Sequence, residues 1–205
     1  AIHAPRAIVF DSSFNLFIAD TLDHRVRKIS NSTNTIDTVV GKGQGFAGDG
    51  GPATNALLNL PTSLALDSAG NLYIADQANG RIRKVSTNGT ISTVAGTETV
   101  FTGDSGPAIN ALVSSPRAVA VDGAGNVYIS EPGENRIRKV TPDGTIVTIA
   151  GNGNCCYSND GGSATSAPLN LPWGLAVDPA GNVFVADSGN SAIRVLRPTP
   201  SGTGQ

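Results

Sequence analysis

Methionine is missing from all 205 residues, so the chain carries no start residue of its own and is expected to be a processed product or a piece of something longer. Charge is scarce too: Asp, Glu, Lys and Arg make up 15% of residues, against roughly 25% in ordinary soluble domains. The balance is slightly acidic, at −2, which removes the basic face that nucleic acid would demand. Aromatics are only 5%, too few for the stacking platforms of an RNA reader. No apolar run approaches the roughly 20 residues that cross a bilayer, so no membrane span is expected.

The groups that usually do chemistry are equally thin. His3 and His24 are the only histidines, and neither has a cysteine or glutamate at ligand spacing, so no zinc set is present. A Gly-x-Ser-x-Gly elbow is missing, and "GKGQG" at 41–45 lacks the lysine-serine helix start of a phosphate loop. No catalytic residue, cofactor or metal is therefore assigned. The only cysteines, Cys155 and Cys156, are neighbours. Adjacent Cα atoms lie about 3.8 Å apart, below the roughly 4.4 Å lower limit of ordinary disulfides. A bond between them closes a small strained ring that braces a tight turn; free thiols and bonds to another chain compete with it. We expect the vicinal disulfide.

What is plentiful is glycine, 25 residues or about 12% against a usual roughly 7%. With the many Ser, Thr and Asn, it suits a turn-rich β protein. The chain also repeats itself. Pro5, Pro61, Pro116 and Pro172 are spaced by 56, 55 and 56 residues, and Asp11, Asp67, Asp122 and Asp178 keep the same steps. One copy reads "PTSLALDSAGNLYIADQANGRIRKV". "SLALD" is a short strand stopped by Asp, and "SAGN" is a turn cluster. In "NLYIAD" both faces are apolar, so the strand is buried on both sides. "RIRKVS" and "TISTVAG" complete four antiparallel strands. Such a unit must stack on neighbours, and radial stacking of four-stranded blades is the β-propeller.

The pattern P-x-x-[LV]-A-[LV]-D-x-x-G-N-[LV]-[YF]-[IV]-[AS]-[DE]-x-x-x-x-R-[IV]-R-K-[VI], with "GDGGPA" in the connecting loop, resembles the NHL repeat over residues 5 to about 196. The resemblance implies an NHL-type β-propeller, a fold whose members usually close a ring of about six blades. The expected fold is all-β, a propeller or open propeller arc, with blades at about 5–41, 61–96, 116–151 and 172–197 and a Pro/Gly/Ser-rich tail at 198–205. The fourth blade lacks its outer strand, because proline and glycine replace it. An open stack leaves an apolar face at each end and an unpaired edge, both of which invite association. A squeezed four-blade ring is the alternative.

Several repeated residues are candidate sites. Asp20, Asp76 and Glu131 end the second strand, and Arg25, Arg81 and Arg136 begin the third, so each acid is expected to pair with that arginine as an architectural link. Asp187 faces Ala192 in the fourth copy and is expected to have lost its partner. Asp49, Asp104 and Asp160 share one loop position and are read as caps of the short turn opened by Pro52 or Pro107, since one carboxylate per loop is too few for calcium. Two sequons, at Asn31 and Asn88, fall at the same turn of successive copies and are candidate glycosylation sites.

Three functions remain. The first is a non-catalytic extracellular scaffold, secreted or on the cell surface, that binds protein and self-assembles through its open blades with other copies. The second is a ligand-binding or sensor fragment of a longer surface protein. The third is a fragment of a propeller lyase, a class that places histidine or acidic metal ligands at a central channel.

Overall fold

A computed structural model of the chain describes residues 1–97, 103–158 and 160–198. It contains the expected blades. The first is an antiparallel sheet of Pro5–Phe10, Leu16–Asp20, Arg25–Ile29 and Ile36–Val40, in chain order. The second joins Pro61–Leu66, Leu72–Asp76, Arg81–Val85 and Ile91–Ala95. The third joins Ala118–Val121, Val127–Glu131, Arg136–Val140 and Thr145–Ala150. The fourth has three strands, Pro172–Val177, Val183–Asp187 and Ala192–Leu196. Most of the expected tail, from residue 199, lies outside the described residues.

Turn chemistry sets each hairpin. Asp67 ends the first strand of blade 2, and its carboxylate accepts from the backbone N–H of Ala69 (3.0 Å) and Asn71 (2.8 Å) and from Asn71 Nδ2 (2.7 Å). Asp11, Asp122 and Asp178 clasp their own turns in the same way. The strand stops because the aspartate gives the backbone a different partner. The second turn of each blade is a short 3-10 turn that ends on a left-handed residue: His24, Gly80, Asn135 or Ser191.

The blades stack because Leu72–Asp76 and Val127–Glu131 are buried along their whole length. Ala19, Val26 and Val40 of blade 1 pack on Leu64, Leu72 and Ile74 of blade 2. Tyr73, Ala75 and Ile82 meet Val119, Val127 and Ile129 of blade 3, and Ile137 and Ala150 meet Val183 and Val185 of blade 4. Each crossover between blades begins at a glycine. Gly151 has φ +87°, and a Cβ there would sit 2.1 Å from the Asn135 carbonyl, so no other residue fits without a backbone shift. Its N–H donates to Ala164. Connecting loops also shield blade edges. Gly106–Pro107 pairs antiparallel with Ile146 and Thr145 as a short fifth strand outside blade 3, and the loop at 43–58 carries its own two-residue parallel pair.

No apolar cluster among the described residues joins blade 4 back to blade 1. The four blades form an open arc with a bare face at each end. Ile8 and Phe10 of blade 1 are 62% and 56% exposed, whereas Leu64, at Ile8's repeat position, is 7% exposed. At the other end Ile193 is 70% exposed, while its counterparts Ile82 and Ile137 are fully buried.

Candidate functional site

The repeated charges lie on the second and third strands of each blade, and the side chain that meets the acid is not the expected one. Asp76 stands in register with Arg81, but its carboxylate is met by Arg83, at 3.4 Å. Arg83 is level with Ile74, and its long side chain reaches back along the strand to Asp76. Arg81 lies beside the turn, donates to the Asn79 carbonyl at 2.7 Å and covers the Phe46 ring at 3.7 Å. Asp20 is likewise met by Arg27 (3.9 Å) rather than Arg25, which donates to the Asp23 carbonyl. The expected pairs Asp20–Arg25 and Asp76–Arg81 are thus corrected to Asp20–Arg27 and Asp76–Arg83. In blade 3 the expected pair Glu131–Arg136 forms, at 2.9 Å, and Arg138 adds a contact at 3.6 Å. Asp187 has kept a partner after all, because Arg194 meets it at 3.6 Å.

The second correction concerns the loops. Asp49, Asp104 and Asp160 cap no turn: Pro52, Pro107 and Ser163 hold those positions without a side-chain bond. Each aspartate reaches forward to the blade its loop leads into. Asp49 accepts from Arg83 Nη2 at 2.6 Å, Asp104 pairs with Arg138 at 2.8 Å and Asp160 with Arg194 at 2.7 Å. A buried arginine between two carboxylates is the stable outcome, since a guanidinium away from water must spend its donors on anions or carbonyls. Arg83 and Arg138 are both fully buried. The sequence held a signal for this. Arg27, Arg83, Arg138 and Arg194 recur in all four copies, whereas the first arginine is Ala192 in the last.

The acids also fasten the entry of their own blade. Asp20, Asp76, Glu131 and Asp187 accept from the backbone N–H of His3, Asn59, Ser114 and Asn170 at 2.6, 2.6, 2.5 and 2.7 Å. Burial pushes the Asp76 carboxyl up to about 6, although Asn59, Asn79 and Arg83 all favour its charge. His24 and Asn135 link blades: each accepts an N–H from the next blade's entry, Leu60 at 3.2 Å and Leu171 at 2.9 Å.

The cysteine loop leans on the same machinery. Tyr157 donates to Asp160, and its ring lies 5.3 Å from the Arg194 guanidinium. Cys155 and Cys156 are exposed free thiols with sulfurs 3.5 Å apart, so the expected disulfide is not formed in this structure. Asn31 and Asn88 are both exposed on the turns that follow the third strands. A cleft of about 420 Å³ opens between blades 1 and 2, lined by Asp11, Phe17, Lys28 and Leu72 among others. Asp11 there is engaged with its own turn through Ser13 and Asn15. Among the described residues no salt bridge forms in the cleft, although the Lys28 charge acts on Asp11.

Fold and repeated clamp together define four blades of an NHL-type β-propeller. The sequence matches the teneurin NHL domain over residues 1–86, 42–104 and 105–197, and the chain belongs to that family. Human Teneurin-1 is 34% identical over 96% of this chain, which spans only 8% of that protein. Among solved structures, a protein of unknown function from Bacteroides thetaiotaomicron aligns with a TM-score of 0.73 at 23% identity, covering 93% of this chain and 46% of that one. A streptogramin B lyase aligns at 0.65 and 15% identity, over 96% of this chain and 52% of its own. Both likenesses are of fold alone.

Proposed function

We propose that the chain is a non-catalytic β-propeller scaffold that works by binding protein, as part of a longer secreted or cell-surface protein. The observation that carries this reading is the pair of bare blade faces, Ile8 and Phe10 at one end and Ile193 at the other. Their repeat counterparts are buried by the neighbouring blade, so these faces have the shape and polarity of interior surface. The face at each end matches what the opposite end lacks, and head-to-tail contact between copies would repeat an intrachain contact. Membership of the teneurin NHL family supports the larger surface protein, and the repeated acids and arginines are spent on architecture. Sedimentation velocity tests the faces. The 20.8 kDa chain is expected to associate as its concentration rises, and Phe10→Glu or Ile193→Glu to abolish this. A monomer at every concentration sinks self-assembly.

The surface setting carries a separate test. Asn31 and Asn88 stand exposed, and the paired thiols are close enough to close in an oxidising compartment. Intact mass of chain secreted from eukaryotic cells is expected to show sugar at these sites and a loss of two hydrogens at Cys155–Cys156 without a covalent dimer. Unmodified asparagines together with two free thiols would rule the setting out.

A further inference from the structure

The first strand of each blade opens beside a proline, and the residue after that proline stands out of the ladder. Register slips between Pro5 and Ala7, between Pro61 and Ser63, and between Pro172 and Gly174, so Arg6, Thr62 and Trp173 are bulge residues. Arg117 holds the same place in blade 3, just ahead of a strand that starts at Ala118. A bulge re-aims the side chain it carries. The first strands of successive blades lie side by side, which sets these four residues in one row across the arc. Thr62 and Arg117 both lean toward the following blade. Thr62 Oγ1 donates to the Arg117 carbonyl at 3.0 Å, and the Arg117 guanidinium lies 4.4 Å from the centre of the Trp173 ring. The Trp173 carbonyl is held in turn by Ser130 Oγ of blade 3, at 3.2 Å.

The row carries positive charge that its own blades do not answer. Arg27, Arg83, Arg138 and Arg194 each meet a carboxylate, but among the described residues neither Arg6 nor Arg117 does. The acids level with the row are already spent. Asp20, Asp76 and Asp187 stand in register with Pro5, Pro61 and Pro172, and all three are fully buried beside their own arginines. Arg117 has described blades on both sides, so its want of an acid is not an effect of the chain's ends. Partial burial and the charge of Arg6 both push its guanidinium below the ordinary value, so two cations share one neighbourhood across the buried Thr62. Like charges held together cost free energy that an incoming anion recovers. Arg6 is exposed and Trp173 is 47% exposed, so the row is open to a partner. Arginine and tryptophan are also the side chains that most often carry the energy of a protein interface. Contact with the indole fixes the plane of the Arg117 fork, which lowers the ordering cost of binding.

We propose that Arg6, Arg117 and Trp173 form a docking surface for an acidic segment of a partner protein, with one carboxylate between the two guanidinium groups and neighbouring chain against the indole. This rests on the reading of the chain as a protein-binding scaffold, but uses residues outside the blade faces of Ile8, Phe10 and Ile193. An extended segment suits the site because the row runs across successive blades on open surface.

Trp173 is the only tryptophan in the chain, so its fluorescence reports the row directly. Hexaglutamate titrated into the full chain at low ionic strength is expected to change that signal saturably, and hexaglutamine to leave it unchanged. Arg117→Gln and Arg6→Gln should each weaken binding at least about tenfold, since a charge-assisted bond is lost. Arg117→Lys keeps the charge without the fork and should retain part of the affinity. Arg197→Gln removes an exposed charge at the opposite end of blade 4 and should change nothing. Far-UV circular dichroism identical to the parent chain shows that each variant is folded. No saturable change at millimolar hexaglutamate, or equal weakening by Arg197→Gln, overturns the proposal. Inorganic phosphate that saturates the signal as tightly as hexaglutamate also overturns it, and makes the row a small-anion site. The probe has no apolar side chain and so reads the row apart from the blade faces. Binding by a chain that sediments as a monomer sinks association at the faces and leaves the row, whereas association without peptide binding sinks the row alone.

Discussion

At the scale of single residues, the stability of the arc rests on a few buried guanidinium groups. Arg138 is fully buried between Glu131 and Asp104, and removing it strands a buried carboxylate. Arg138→Ala is expected to cost about 3–5 kcal/mol in urea unfolding. Arg136→Ala, which takes one bond from the same Glu131, should cost about 1–2 kcal/mol. Equal losses, or the reverse order, would mean that the first arginine of the pair is the structural one. Which arginine did this work was only half legible in the sequence. Both lie on the same side of one strand, two residues apart, and only the position of the loop aspartate separates them.

Single elements carry the pH dependence. Burial works against the charge of Asp67, but the side-chain and backbone bonds of Asn71, the charge of Lys84 and the Tyr73 hydroxyl together hold its carboxyl below the usual value. A group with a depressed folded pKa adds stability above its unfolded pKa, and that stability is lost as pH falls through the folded value. Asp67→Ala should therefore cost about 1–2 kcal/mol at pH 7, and the gap to the parent chain should close in acid, below about pH 4. A gap that stays constant with pH would show that the turn does not depend on the charge. Asp76 runs the other way. Its folded pKa is raised, so its contribution falls as pH rises from about 4 to about 6. The hairpins themselves were plain from Asp, Gly and Asn at fixed offsets, because a turn is decided by its own four residues.

For the whole molecule, the question is what covers the ends. Three interfaces between blades are filled with apolar side chains, and the two outermost faces are not. In a stacked repeat each unit is stabilised by its neighbours, so the terminal blades hold the least of the shared burial. Membership of the teneurin NHL family places this arc among proteins far longer than itself, since it spans 8% of human Teneurin-1. The proposed association through the bare faces rests on that geometry. Sedimentation velocity across a concentration series tests it.

The repeat, the strands and their turns were determined by the sequence alone, because alternation and turn preference act over a few residues. Four copies made those local signals unmistakable. The tertiary structure decided three other things: that Arg83 rather than Arg81 meets Asp76, that Asp49 reaches the arginine 34 residues further on, and that Ile8 and Ile193 are exposed where their repeat counterparts are buried. A flexible guanidinium chooses among acids that only folding brings near it. Whether a blade face is interior or surface depends on what stacks against it, and no stretch of sequence within the blade contains that.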